Sequence, residues 1–189
     1  MPDRVYLSLW LEDFSAENML KRFSVLLERF PFSRLRQGIS ALRVQALSEC
    51  EPPLLEQAFA EPPAIERVIE LAGEFRHPDC AFLIEGWWEL WQWTGQWRLL
   101  PSPVTLFCFG PLFENEVGDH LRVELGTEVQ FLPSVPHPQA ARMARSNLRS
   151  VIRLAEDLEQ SLKLYRRQLW SESGESLARQ LEAALAEND

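Results

Sequence analysis

Glu85 and Glu89 stand among Trp87, Trp91 and Trp93, in a stretch (residues 80–101) that holds five of the chain's seven tryptophans. Indoles flanked by carboxylates can stack on sugars or on cationic groups. Two acids can also exchange protons with a bound substrate. On one strand, residues four apart lie ~13 Å apart at 3.3 Å per residue. A glycosidase pair needs ~5–10 Å, so the spacing favours binding over hydrolysis. Arg122 and Glu124 add polar groups on a later strand. With His120, Glu85 and Glu89 they form the alternative set, for an enzyme acting on a small molecule between the sheet and the C-terminal helix. His120 and Glu124 could supply two metal ligands, but His77, His120 and His137 are too scattered to predict a metal site. No Ser or Cys sits in a nucleophile elbow, and no Gly-rich run has the form of a phosphate cradle. No particular cofactor is implied.

The element that carries these residues reads as a strand. Residues 80–93 are rich in aromatics, Thr94-Gly95-Gln96 is a place to reverse, and the pattern resumes at Trp97. Alternate side chains point to opposite faces. Phe82, Ile84, Gly86, Trp88 and Leu90 make an apolar face, the expected core. Leu83, Glu85, Trp87, Glu89, Trp91 and Trp93 make the other. A dry core would leave its carboxylates unpaired at high cost, and full exposure would present a large apolar patch. Something must therefore cover this face.

The rest of the chain supplies the frame. Val5, Leu7, Leu9 and Leu11 alternate with Tyr6 and Trp10, a strand apolar on both sides. Met19, Leu20, Phe23, Leu26, Leu27 and Phe30 recur at helical spacing over about 15–30. Residues 39–47 alternate as a strand, and 54–60 read as a short edge strand. After Pro62-Pro63 a helix carries Ile65, Val68, Ile69 and Ala72. The order β-α-β-β-α-β predicts an α+β, ferredoxin-like antiparallel sheet with both helices on one face. The hairpin partner at 97–109 and a strand at 119–125 extend it, and Phe131 is placed at the end of a further short strand.

Beyond residues 133–138 the pattern changes. Ala141, Ala144, Leu148, Val151, Ala155, Leu158, Leu162, Tyr165 and Leu169 follow steps of three and four. This predicts a continuous helix over 139–169, with a short last helix marked by Leu177, Leu181 and Leu185. The chain divides into an α+β sheet domain, 1–135, and a helical C-terminal extension, 136–189, packed on the first. Arg142, Arg145, Arg149 and Arg153 form a basic stripe. The expected cover for the indole-and-acid face is this helix, with arginines meeting Glu85, Glu89 and Glu124.

The net charge of −9 lies wholly in the first part: 1–135 hold 11 basic and 20 acidic residues, whereas 136–189 hold 8 of each. Phosphate binding needs clustered Lys and Arg, so a nucleic-acid partner is not expected. No apolar run approaches the ~20 residues of a membrane span. Cys50, Cys80 and Cys108 form no metal or disulfide spacing, which fits reduced thiols in a cytoplasm. The functional expectation is a cytoplasmic module acting by association. It would bind a small ligand, a partner protein or a second copy through Glu85, Trp87, Glu89, Trp91, Trp93, Arg122 and Glu124.

Overall fold

The computed structural model describes residues 3–48, 50–132 and 138–172. In chain order the elements are β1 (Arg4–Leu11), α1 (Met19–Arg29), β2 (Ile39–Ala46), β3 (Leu55–Ala58), α2 (Ile65–Gly73), β4 (Cys80–Trp93), β5 (Trp97–Phe109), β6 (Leu121–Thr127), α3 (Pro138–Ser161) and β7 (Leu164–Ser171). The strands form one antiparallel sheet of seven, in the order β3-β2-β4-β5-β6-β1-β7. The mixed α+β class agrees with the alternation and helical spacing in the sequence.

The ferredoxin-like arrangement is not what these strands build. β1 pairs with β6 and β7, and β4, β5 and β6 stand between it and β2. The long β4–β5 hairpin accounts for this. Its register runs unbroken from Ala81↔Phe109 to Trp93↔Trp97. A hairpin closes a short loop at low entropic cost, so β5 takes the edge of β4 that a distant strand would otherwise occupy. β3-α2-β4 does keep the split form, with β2 between its two strands.

All three helices pack on one face of the sheet. Their apolar sides (Phe23, Leu26 and Leu27 of α1; Val68 and Ala72 of α2; Leu148, Val151, Leu154 and Leu158 of α3) join one core. The sheet contributes Val5, Leu7, Leu9, Leu42, Val44, Phe82, Ile84, Trp88 and Leu90 to it. Trp88 is 1% exposed. Its ring lies near Phe30 and Phe131, and its indole N–H donates to Leu125 O at 3.2 Å. That bond removes the penalty of burying a donor. Gly86 is glycine for space: a Cβ there would lie 2.3 Å from Gly38 O.

The C-terminal part departs from its pattern. The helix ends at Ser161, and Tyr165 and Leu169 belong to β7. Leu162 N–H makes a last helical bond to Leu158 O, and Glu12 N–H then donates to Lys163 O. β7 pairs with β1 from Leu11↔Leu164 to Val5↔Ser171. β1 is apolar on both faces and needs a neighbour on each edge. Strand pairing therefore overrides a helical repeat that no Pro or Gly interrupts. Phe131 does not end a strand; it follows a 3-10 turn, Glu128–Gln130, and is buried in the core. Residues 177–185 lie outside the described residues.

Beyond Gly86, β4 loses its ladder with β2. Asn147 of α3 fills part of the gap. Its Oδ1 accepts the Trp91 N–H at 2.8 Å. Its amide donates to Trp91 O at 3.0 Å and to Gln130 O at 2.7 Å. A side-chain amide thus takes the place of a strand neighbour and fixes the hairpin on α3. Replacing Asn147 with Ala leaves one donor and two acceptors without partners in a half-buried setting. The expected loss is about 2 kcal/mol or more, read as a lower denaturation midpoint with an unchanged slope.

Candidate functional site

The sheet face turned away from the helices carries the residues singled out from the sequence. It is not covered by the C-terminal helix. α3 lies on the opposite face, and the space between sheet and helix is filled by the core. The expected arginine–glutamate seam does not form, because Glu85, Glu89 and Glu124 each have another partner.

Glu85 is half-buried and lies 3.2 Å from Arg43 Nη2, while Arg43 Nε bonds Glu56 at 2.9 Å. Glu124 takes Arg4 at 2.7 Å. These pairs are largely exposed and contribute little. Glu89 differs. One of its oxygens, Oε1, accepts the Arg34 N–H at 2.7 Å, the Leu35 N–H at 3.1 Å and the Ser33 hydroxyl at 3.0 Å. The backbone bond from Arg34 is the largest of several influences holding its carboxyl below the usual range, against a smaller cost of burial. Ser33 Oγ in turn accepts the N–H groups of Leu35 and Arg36. Glu89 thereby fixes the loop that presents Arg36, whose guanidinium lies 3.5 Å from the centre of the Trp87 ring. The chain supplies its own cation for that indole. The same loop and Pro62, Pro63 and Ile65 line an open cleft of about 620 Å³.

Arg122 is buried. It forms a bidentate pair with Asp119 at 2.8 and 2.7 Å and lies 4.8 Å from the Phe109 ring centre. Asp119 also accepts the Ser8 hydroxyl at 2.5 Å, and Ser8 Oγ accepts the Trp170 indole N–H at 2.9 Å. Four side chains from β1, β6, β7 and the loop before β6 thus satisfy one another. A buried ion pair adds little net stability, but removing one partner strands a charge. His120 is turned elsewhere: Nδ1 accepts the Leu11 N–H at 2.9 Å, and the ring stacks on Phe14 at 4.3 Å. His120, Arg122, Glu85, Glu89 and Glu124 therefore do not converge on one concave site. Among the described residues no three His, Cys, Asp or Glu side chains gather as a metal site requires.

What remains open is aromatic. Trp91 is half-buried, its backbone held by Asn147. Trp93 is 62% exposed and Leu99 39%. Trp93 and Trp97 face each other across the hairpin with ring centres 5.7 Å apart. Residue spacing marked Trp87, Trp91 and Trp93. It missed Arg36, Ser33 and Asn147, which meet Trp87, Glu89 and Trp91 across the fold rather than along the chain, and the Asp119–Arg122 pair three residues apart. No family model, curated protein or solved structure matches the chain.

Glu89→Ala removes the shared acceptor of the 33–36 loop. Amide exchange at Arg34 and Leu35 should accelerate about tenfold or more, while core amides stay protected; unchanged loop exchange contradicts the assignment. His120 gives a second test. Burial is the main cause lowering its pKa from 6.5, partly offset by Asp119. The neutral ring is thus favoured in the fold, and the unfolded chain binds the proton more readily. Stability is full above the unfolded value and falls as pH drops through it toward the lower folded value. Between about pH 7.5 and about pH 5.5, the wild type should lose more stability than His120→Gln. Equal losses contradict the reading.

Proposed function

We propose that this protein acts by association, through the sheet face opposite the described helices and the tip of the β4–β5 hairpin. The observation that carries this is the exposure of Trp93 beside Trp97 and Leu99 on a hairpin fixed from behind by Asn147. Ordered indoles left in water supply contact area at low entropic cost, as protein contact surfaces use them. Trp87 under Arg36 is an internal example of the chemistry. The partner this favours is a protein segment offering arginine or aromatic side chains to Trp91, Trp93 and Trp97. Glu85 and Glu89 act indirectly, by ordering the cations and the loop beside the indoles. Arg122 and Glu124 hold the sheet rather than the partner. A small ligand and a second copy are the other occupants considered for this face.

The proposed compartment is the cytoplasm. Cys50, Cys80 and Cys108 are all free thiols, as a reducing compartment keeps them. Among the described residues no helix is long and apolar enough to cross a membrane.

An arginine-rich peptide, and a lysine peptide of equal charge, titrated against tryptophan emission test the reading. The arginine peptide should bind and the lysine peptide more weakly, since a guanidinium also stacks. Replacing Trp93 and Trp97 together with Ala should weaken the arginine peptide about tenfold at unchanged thermal stability. Equal binding by the double variant, or no saturable binding by the wild type, contradicts the proposal.

A further inference from the structure

Two ladders of opposite charge run along the helix layer. On α3, Arg145, Arg149 and Arg153 follow at steps of four with Arg142 a turn earlier, and no acid lies between Pro138 and Ala155. On the α2 side, Glu66, Glu70 and Glu74 also follow at steps of four. All three are exposed, and Glu74 keeps helical angles just past the helix end, φ −64 and ψ −23. At 1.5 Å rise per residue both ladders repeat every ~6 Å.

Like charges four apart weaken the helix that carries them. Among the described residues none of the four arginines takes an ion pair or a hydrogen bond. The acids of the sheet that could have met them are engaged elsewhere. On the α2 side, Glu70 has a weak, exposed partner in Arg67 at 3.3 Å.

α1 packs against both α2 and α3. Toward solvent it shows Lys21, Glu28 and Arg29, around the partly buried Val25.

We infer that the helix layer is the contact face of a symmetric homodimer. α3 of each copy lies along α2 of the other, and α1 crosses its counterpart at Val25. Both arginine ladders then meet glutamates. A two-fold axis closes the contact at two copies, so the assembly does not grow into a fibre. Val25, Ile69 and Ile152, each partly buried in the monomer, add apolar contact. Exposed ion pairs are individually weak and screened by salt, so the dimer is concentration- and salt-dependent. This contact is independent of the tryptophan face.

Sedimentation velocity and light scattering on the full chain test it. The wild type should dimerise at low salt, with a dissociation constant rising about tenfold or more in about 1 M NaCl. Arg149→Glu should weaken the dimer about tenfold or more, because a two-fold axis repeats the loss. Adding Glu70→Arg to that variant should restore the dimer, since the exchanged charges attract again. Trp93→Ala should dimerise as the wild type does. Circular dichroism and melting confirm that each variant folds, and Arg153→Glu replaces Arg149→Glu if that variant does not. A monomer at every concentration, a dimer indifferent to Arg149→Glu, no recovery in the exchanged variant, loss of the dimer in Trp93→Ala, or open-ended assembly would each overturn the inference.

Discussion

β4 sends indoles to both faces of one sheet, and the two faces cannot be satisfied in the same way. Trp88 points where three helices can bury it, and its one polar atom finds Leu125 O. Trp87, Trp91 and Trp93 point the other way, on a face they share with the carboxylates of Glu85 and Glu89. A layer of apolar side chains over that face would strand the charges. The molecule covers one face with helices and treats the other locally, residue by residue.

That local treatment is polar and economical. Glu89 gathers a hydroxyl and two backbone N–H groups on a single oxygen, which orders a loop and sets a guanidinium over Trp87. Asp119, Arg122, Ser8 and Trp170 satisfy one another in a network that ties the last strand to the sheet. Cut off from its ladder, the far part of β4 borrows the amide of Asn147. In each case a group that would be costly to leave unpaired instead fixes a neighbouring element. The outer face is thus hydrogen-bonded around Glu89 and Asp119, and open at Trp93 near the hairpin tip.

The helix layer has the opposite character: exposed arginines gather on α3 and exposed glutamates on the α2 side. Surface charge of this kind does little for a monomer's stability. It does much for the choice of a partner and its orientation.

Much was legible in the residues themselves. The two-residue period of β4, and the reversal at Thr94-Gly95-Gln96, determined the hairpin and its faces, because strand geometry depends on nearest neighbours. The apolar spacings of α1 and α2, and the buried set around Trp88, were legible for the same reason. The strand order was not, since it depends on which edges compete for the same partner. Nor was β7: the steps that mark Tyr165 and Leu169 as helical are real, but the free edge of β1 decided their state. The tertiary structure alone placed α3 behind the tryptophans rather than over them, and it alone supplied Arg36, Ser33 and Asn147 as their companions. Period and propensity act between residues close along the chain. Cover, pairing and charge partners are settled between residues that meet only when the sheet closes.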